Sequence, residues 1–243
     1  MMKFVHSLIA MMVTAMTTIT ILTTPVIVLG HAPDTNDQCD HWASIGECDK
    51  NPAYMLPNCA TSCGVIIDAM NAVQEQLAAI TSIYDFTMND IDGNEIAFEK
   101  YRNQVLIIIN VASYCGYTES HYNGLIQLYN TIQSNSDYSD KVQILAFPCN
   151  QFGQQEPGSA HEIKQFVKEK GVEFQMMEKI NVNGNDAHLL YKYLKYKTNV
   201  DSITWNFATY FVVAPDGTSI TAHSGVEPMD LKPIAFSLLK EEL

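Results

Sequence analysis

Two apolar runs constrain this chain more than anything else in it. Val105 to Val111 is apolar apart from Asn110, and Val142 to Phe147 is apolar apart from Gln143. A strand that is apolar on both sides must be covered on both faces, which selects a sheet with helices packed above and below it. The intervening sequence supplies the helices: Leu125 to Ile132, Ala160 to Lys168, Asp186 to Lys195 and Met229 to Glu242 all carry helical spacing. Thr209 to Val213, Asp216-Gly217 and Ser219 to Ala222 read as a hairpin. The expected class is α/β, with a central, mainly parallel sheet, flanking helices and an antiparallel hairpin at one edge.

Charge narrows the partners. Lys and Arg total 14 against 27 Asp and Glu, for a formal net charge of -13, and Arg102 is the sole arginine. No positive field draws in nucleic acid or an anionic membrane surface, so neither is expected as a partner.

Both ends read as addresses. Residues 1–30 carry one charge, Lys3, ahead of a run of apolar residues and threonines from Phe4 to Gly30, the outline of a signal peptide with Val28-Leu29-Gly30 as a cleavage site. The run is also long enough for an uncleaved anchor. The chain ends Lys240-Glu241-Glu242-Leu243, a one-residue variant of the Lys-Asp-Glu-Leu retention signal. Together they favour the lumen of the endoplasmic reticulum, with a secreted or membrane-anchored protein as the alternative.

The cysteines divide unevenly. Cys39, Cys48, Cys59 and Cys63 crowd into one short segment, while Cys115 and Cys149 stand alone. In an oxidising compartment the cluster implies two disulfides, and spacing leaves three pairings open. No metal is expected, because no histidine pattern supports a zinc site. The wording Cys39-Asp40-His41-Trp42-Ala43, Gly46-Glu47-Cys48, Asn51-Pro52-Ala53-Tyr54-Met55, Cys59 and Ser62-Cys63-Gly64 resembles a ShKT module over 31–65. That resemblance implies Cys39–Cys59 and Cys48–Cys63, with the family's third bridge missing at Ala32 and Ile66. Channel-blocking members use a Lys-Tyr pair, and the matching residues here are Ala53 and Tyr54, so a docking or structural appendage with an unidentified partner is expected. Residues 66–82 follow as a helical linker, with Ile66, Met70, Val73, Leu77 and Ile80 at helical spacing.

Cys115 follows the Val105–Val111 strand and precedes a helix, where backbone N–H groups and the helix dipole favour a thiolate. Asn110-Val111-Ala112-Ser113-Tyr114-Cys115-Gly116-Tyr117-Thr118, Phe147-Pro148-Cys149-Asn150-Gln151-Phe152-Gly153-Gln154-Gln155-Glu156-Pro157 and Trp205-Asn206-Phe207 resemble three signature blocks of glutathione peroxidases, in that family's order. The resemblance covers 83–243 and implies a thioredoxin-like fold and a site of Cys115, Gln151, Trp205 and Asn206. An amide and an indole donate hydrogen bonds without titrating, which suits them to hold a sulfur anion and a peroxide oxygen together.

The resemblance further implies a thiol peroxidase that reduces hydrogen peroxide or organic and lipid hydroperoxides in response to oxidative stress, needs no cofactor, and takes glutathione or a protein dithiol as co-substrate. Thioredoxin-dependent relatives place a resolving cysteine where Lys168 stands here, and the near absence of arginine argues against tight glutathione binding. A reductant of the protein disulfide isomerase type is therefore favoured, with Cys149 as candidate resolving cysteine. The short segment between Tyr196 and Ile203 resembles compact relatives that lack an oligomerisation loop, so a monomer is expected. The alternative is a secreted ShKT-type binding protein whose peroxidase domain is weak or relays a peroxide signal.

Overall fold

A computed structural model describes residues 31–240; the signal-like segment 1–30 and the last three residues of the retention-like ending lie outside the described residues. The chain divides into two compact units, up to Asp68 and from Ala69 onward.

The first unit has too few apolar residues for an ordinary core and closes around sulfur instead. Helices α1 (Cys39–Ser44), α2 (Glu47–Lys50), α3 (Pro52–Asn58) and the start of α4 (Ala60–Ala79) bury Cys39, Ala43, Cys48, Met55, Cys59 and Cys63. Of the three pairings that spacing allows, the structure has Cys39–Cys59 and Cys48–Cys63, with Cα separations of 5.2 and 5.7 Å. Closing a loop of the Cys48–Cys63 length contributes about 3 kcal/mol, most of what so small a fold needs. Asp34 adds a polar clamp: its carboxylate accepts the Thr61 and Ser62 N–H groups at 2.9 and 3.1 Å and the Ser62 hydroxyl. The Ser62 hydrogen bond holds the Asp34 carboxyl below its usual range, with burial opposing.

In the second unit, β3 (Val105–Val111) and β4 (Val142–Pro148) pair in parallel from Val105↔Val142 to Val111↔Pro148. The sheet is completed by β5 (Gln175–Met176), β6 (Thr209–Val213) and β7 (Ile220–Ser224), in the order β5-β4-β3-β6-β7. β5 is parallel to β4, while β6 runs antiparallel to β3 and to β7. Every residue of β3 is buried. Because successive side chains alternate, the apolar run splits into two cores. Val105, Ile107, Ile109 and Val111 pack with α5 (Thr118–Gln133), α6 (Ala160–Glu169) and α8 (Leu231–Lys240). Leu106 and Ile108 face α7 (Leu189–Thr198) and a small hairpin of Thr87–Asn89 with Glu95–Ala97 (β1 and β2, placed ahead of β3 in the chain). Each such buried aliphatic side chain contributes about 1.5–3 kcal/mol.

Several expected elements change length. α4 starts at Ala60, inside the disulfide-bonded unit, and ends at Ala79, ahead of the expected stop at 82; Val73, Leu77 and Ile80 pack into the second unit's core. α5 begins at Thr118 rather than Leu125, because burial of Thr118, His121 and Tyr122 carries a turn that apolar spacing does not mark. α7 begins after His188, whose ring nitrogen accepts the Leu190 N–H at 3.1 Å and caps the helix. β1, β2 and β5 were not expected, being two or three residues long.

Candidate active site

The site forms where β3 and β4 end and β6 begins. After Val111 the chain turns through Ala112-Ser113-Tyr114 to Cys115, and Thr118 pins the turn. Its hydroxyl donates to the Ala112 carbonyl at 2.7 Å and accepts the Cys115 N–H at 2.9 Å, while its own N–H donates to the Cys115 carbonyl at 3.0 Å. The Tyr117 N–H lies 3.5 Å from the Cys115 sulfur. The thiol therefore sits at the N-terminus of a 16-residue helix, inside its positive end. Cys115 is 7% exposed, within reach of a small oxidant but shielded from bulk water.

The loop after β4 wraps around this turn. Gly153 and Gln154 both take left-handed backbone, with φ of 58° and 54°, which folds the chain back on itself. The Gln155 carbonyl then accepts the Tyr114 N–H at 3.0 Å, next to the nucleophile. The Gln155 side-chain oxygen is buried and has no hydrogen-bond partner. Glu156 follows, fully buried, and accepts the Ser113 hydroxyl at 3.2 Å. Burial pushes its pKa up, with the Ser113 hydrogen bond opposing.

Gln151 is occupied elsewhere. Its side-chain oxygen accepts the Val182 and Asn183 N–H groups at 2.7 and 2.9 Å, and its side-chain nitrogen donates to the Asn183 carbonyl at 2.9 Å. That amide holds a loop in place. Gln155, which the sequence motifs do not single out, is brought next to the nucleophile's turn by the Gly153-Gln154 backbone.

Trp205 and Asn206 enter from the segment ahead of β6. Asn110 of β3 donates to the Asn206 side-chain oxygen at 2.9 Å and to the Trp205 carbonyl at 3.3 Å. The Phe207 N–H returns a bond to the Asn110 carbonyl at 2.9 Å, and Phe207 takes a φ of 64°. Asn206 is fully buried and its side-chain nitrogen has no partner, so its N–H groups are uncommitted. Trp205 is 38% exposed, with its ring 5.7 Å from that of Phe152.

A cleft of about 610 Å³ opens between Tyr117, whose N–H meets the Cys115 sulfur, and His121, Trp205, Phe207, Val226 and Glu227, among others. His121 lies 2.6 Å from the Tyr210 hydroxyl; burial lowers its pKa and Glu227 opposes that, so the imidazole is neutral at pH 7.

Cys149 is not brought to Cys115. It continues the alternation of Leu145 and Phe147 into the core facing α7, whereas Cys115 belongs to the core facing α5. Its thiol is fully buried and burial raises its pKa. Among the described residues no group of three or more His, Cys, Asp or Glu is arranged to hold a metal ion.

Comparison with known proteins identifies the family of each unit. Residues 83–195 match the glutathione peroxidase family model, and residues 32–65 match the ShK domain-like model. The chain is 42% identical over 166 residues to the glutathione peroxidase of Schistosoma mansoni, covering 66% of this chain and 95% of that one. It is 41% identical over 164 residues to the phospholipid hydroperoxide glutathione peroxidase of Callithrix jacchus, covering 65% and 80%. The apo crystal structure of Trgpx superposes with a TM-score of 0.55 at 34% identity, covering 67% of this chain and 97% of that one. Its fold is accordingly thioredoxin-like, and with such relatives matched over most of their length, the chain is a peroxidase that belongs to the glutathione peroxidase family.

Proposed function

We propose that Cys115 is the peroxidatic nucleophile and that Gln155, Trp205 and Asn206 form its hydrogen-bonding shell, Gln155 taking the role that sequence reading gave to Gln151. The observation that carries this reading is the sulfur at the head of α5, 3.5 Å from the Tyr117 N–H, with the buried Asn206 side-chain nitrogen and the buried side-chain oxygen of the half-buried Gln155 both lacking a partner. Buried polar groups without partners are costly in a resting protein, and they are justified where a substrate completes them. The Cys115 thiolate attacks one peroxide oxygen and an S–O bond forms as the O–O bond breaks. The second oxygen leaves as water or an alcohol after taking up a proton, and Cys115 is left as a sulfenic acid.

The open cleft and the exposed edge of Trp205 leave room for bulky organic hydroperoxides beside hydrogen peroxide, in keeping with the name of the Callithrix jacchus relative. The reductant is a protein dithiol of the disulfide isomerase type, with glutathione second. The segment 1–30 and the ending Lys240 to Leu243 support a role in the lumen of the secretory pathway, relieving oxidative stress there. The protein acts as a monomer.

The test is mass spectrometry after one equivalent of peroxide, together with peroxide consumption by Cys115→Ser. One oxygen atom gained on the Cys115 peptide, and no turnover in the variant, is the expected result. A Cys115→Ser protein that consumes peroxide at the parent's rate refutes the assignment.

A further inference from the structure

The cleft beside Cys115 also has a charge, and reducing thiols differ chiefly in theirs. We propose that Glu227 makes the enzyme select its reductant by charge, admitting cationic and neutral thiols and turning away anionic ones such as glutathione. The proposal rests on Cys115 being the nucleophile and specifies what regenerates it.

Tyr117 supplies the N–H beside the Cys115 sulfur and also lines the cleft, so one residue is shared between the cleft wall and the surroundings of the reacting atom. Among the described residues that line it there is no lysine or arginine, and Glu227 is the sole carboxylate. Glu227 is exposed and enters no ion pair with a described residue. No ammonium or guanidinium in the wall compensates it, although its carboxylate caps the turn Pro228–Asp230 and faces the backbone N–H there. The imidazole of His121 is buried and neutral, and the Lys170 ammonium is already paired with the Glu119 carboxylate. The formal charge of -13 sets a background of the same sign.

Reduction takes two attacks. A thiolate attacks the Cys115 sulfenic acid, the S–S bond forms, the S–O bond breaks, and hydroxide leaves and is protonated to water. A second thiolate attacks the reductant's sulfur in that mixed disulfide and releases Cys115 as thiolate, so two thiols end as one disulfide. The attacking form of glutathione carries two carboxylates, one ammonium and the thiolate. It must approach Glu227 twice with no cation to receive it. A thiol within a basic or neutral peptide meets no such opposition.

The experiment reads the approach to Cys115 without using turnover. Reduced protein is treated with methanethiosulfonates bearing a trimethylammonium or a sulfonate group, and mass spectrometry locates the adduct on Cys115. Each rate is divided by that of the same reagent with 2-mercaptoethanol. The cationic reagent should be favoured about fivefold at low ionic strength, on the order expected for unit charges roughly 8–10 Å apart in water. Glu227→Gln should lower that ratio about fivefold, to about one, Glu227→Lys should bring it below one, and roughly 0.5 M salt should move the parent and the Lys variant toward one. In steady state, Glu227→Lys should raise kcat/KM for glutathione and lower it for cysteamine. Ratios equal in parent, Glu227→Gln and Glu227→Lys, or a parent that prefers the sulfonate, would overturn the proposal. Peroxide consumption by Cys115→Ser fails separately, since it tests the nucleophile and leaves the charge ratio as measured.

Discussion

Thr118 holds the nucleophile's turn through one hydroxyl, and its removal can be worked through. In Thr118→Val the shape is kept, but the Cys115 N–H and the Ala112 carbonyl lose partners at 2.9 and 2.7 Å, both in buried positions. A typical hydrogen bond contributes about 1 kcal/mol net, and leaving a buried partner unsatisfied costs about 1–3 kcal/mol. Two such groups, partly relieved by relaxation or an entering water, give an expected loss of about 2–4 kcal/mol. Thr118→Ser keeps the hydroxyl and should lose about 1 kcal/mol or less, from the methyl group alone. The assay is urea denaturation of both variants, run beside the rate of Cys115 alkylation by iodoacetamide at one pH. Thr118→Val should also change that rate, since a displaced Cys115 no longer meets the Tyr117 N–H. Equal stability losses in Val and Ser variants, or a Val loss below about 1 kcal/mol, would refute the reasoning, because the hydroxyl would then not be what holds the turn.

Three more outcomes follow from the same geometry. Gln155→Ala should cut the second-order rate with peroxide by about 10²-fold at near-parental stability, on the scale of one lost oxyanion-type donor; Gln151→Ala should do the reverse, losing about 1.5–3 kcal/mol with its three loop bonds while keeping the rate within a few-fold, as paired denaturation and stopped-flow measurements will tell. Glu156 has a raised folded-state pKa, so the native state holds its proton longer than the unfolded chain and stability falls as pH rises from about 4.5 through the folded value. Glu156→Gln should therefore gain stability over the parent across that window and hold the gain above it, and urea midpoints that differ by the same amount at every pH would contradict this. One equivalent of peroxide should leave no Cys115–Cys149 disulfide in native protein, whereas mild denaturant during oxidation should produce one, read by mass spectrometry without reduction.

Legibility followed length and burial. Val105–Val111 was readable to the residue because a strand covered on both faces has little room for polar residues, and its pairing with Val142–Pro148 followed from the same pattern. β5 and the β1–β2 hairpin left no such trace, since two or three residues carry no period. The first turn of α5 is written in Thr-Glu-Ser-His-Tyr-Asn, whose spacing looks like a loop until Thr118, His121 and Tyr122 are seen to be buried. Cys115 stands out in the sequence by the motif around it, its place after a buried strand being equally open to an inert buried cysteine.

The proposed exchange of Gln151 for Gln155 could not be read from the sequence, and the reason is physical. Gln151, Gln154 and Gln155 are chemically identical in a row of residues, and what separates them is which amide the backbone has already engaged. Two successive left-handed residues turn the chain so that Gln155 bonds back to Tyr114, while Gln151 is left to tie down 182–183. The same reasoning separates the two lone cysteines. One follows β3 by a turn and heads a helix; the other continues the alternation of β4, and parity alone sends it to the opposite core. With Cys149 in the opposite core, the proposed reductant approaches Cys115 from outside this domain, and the proposed role of Glu227 concerns that approach.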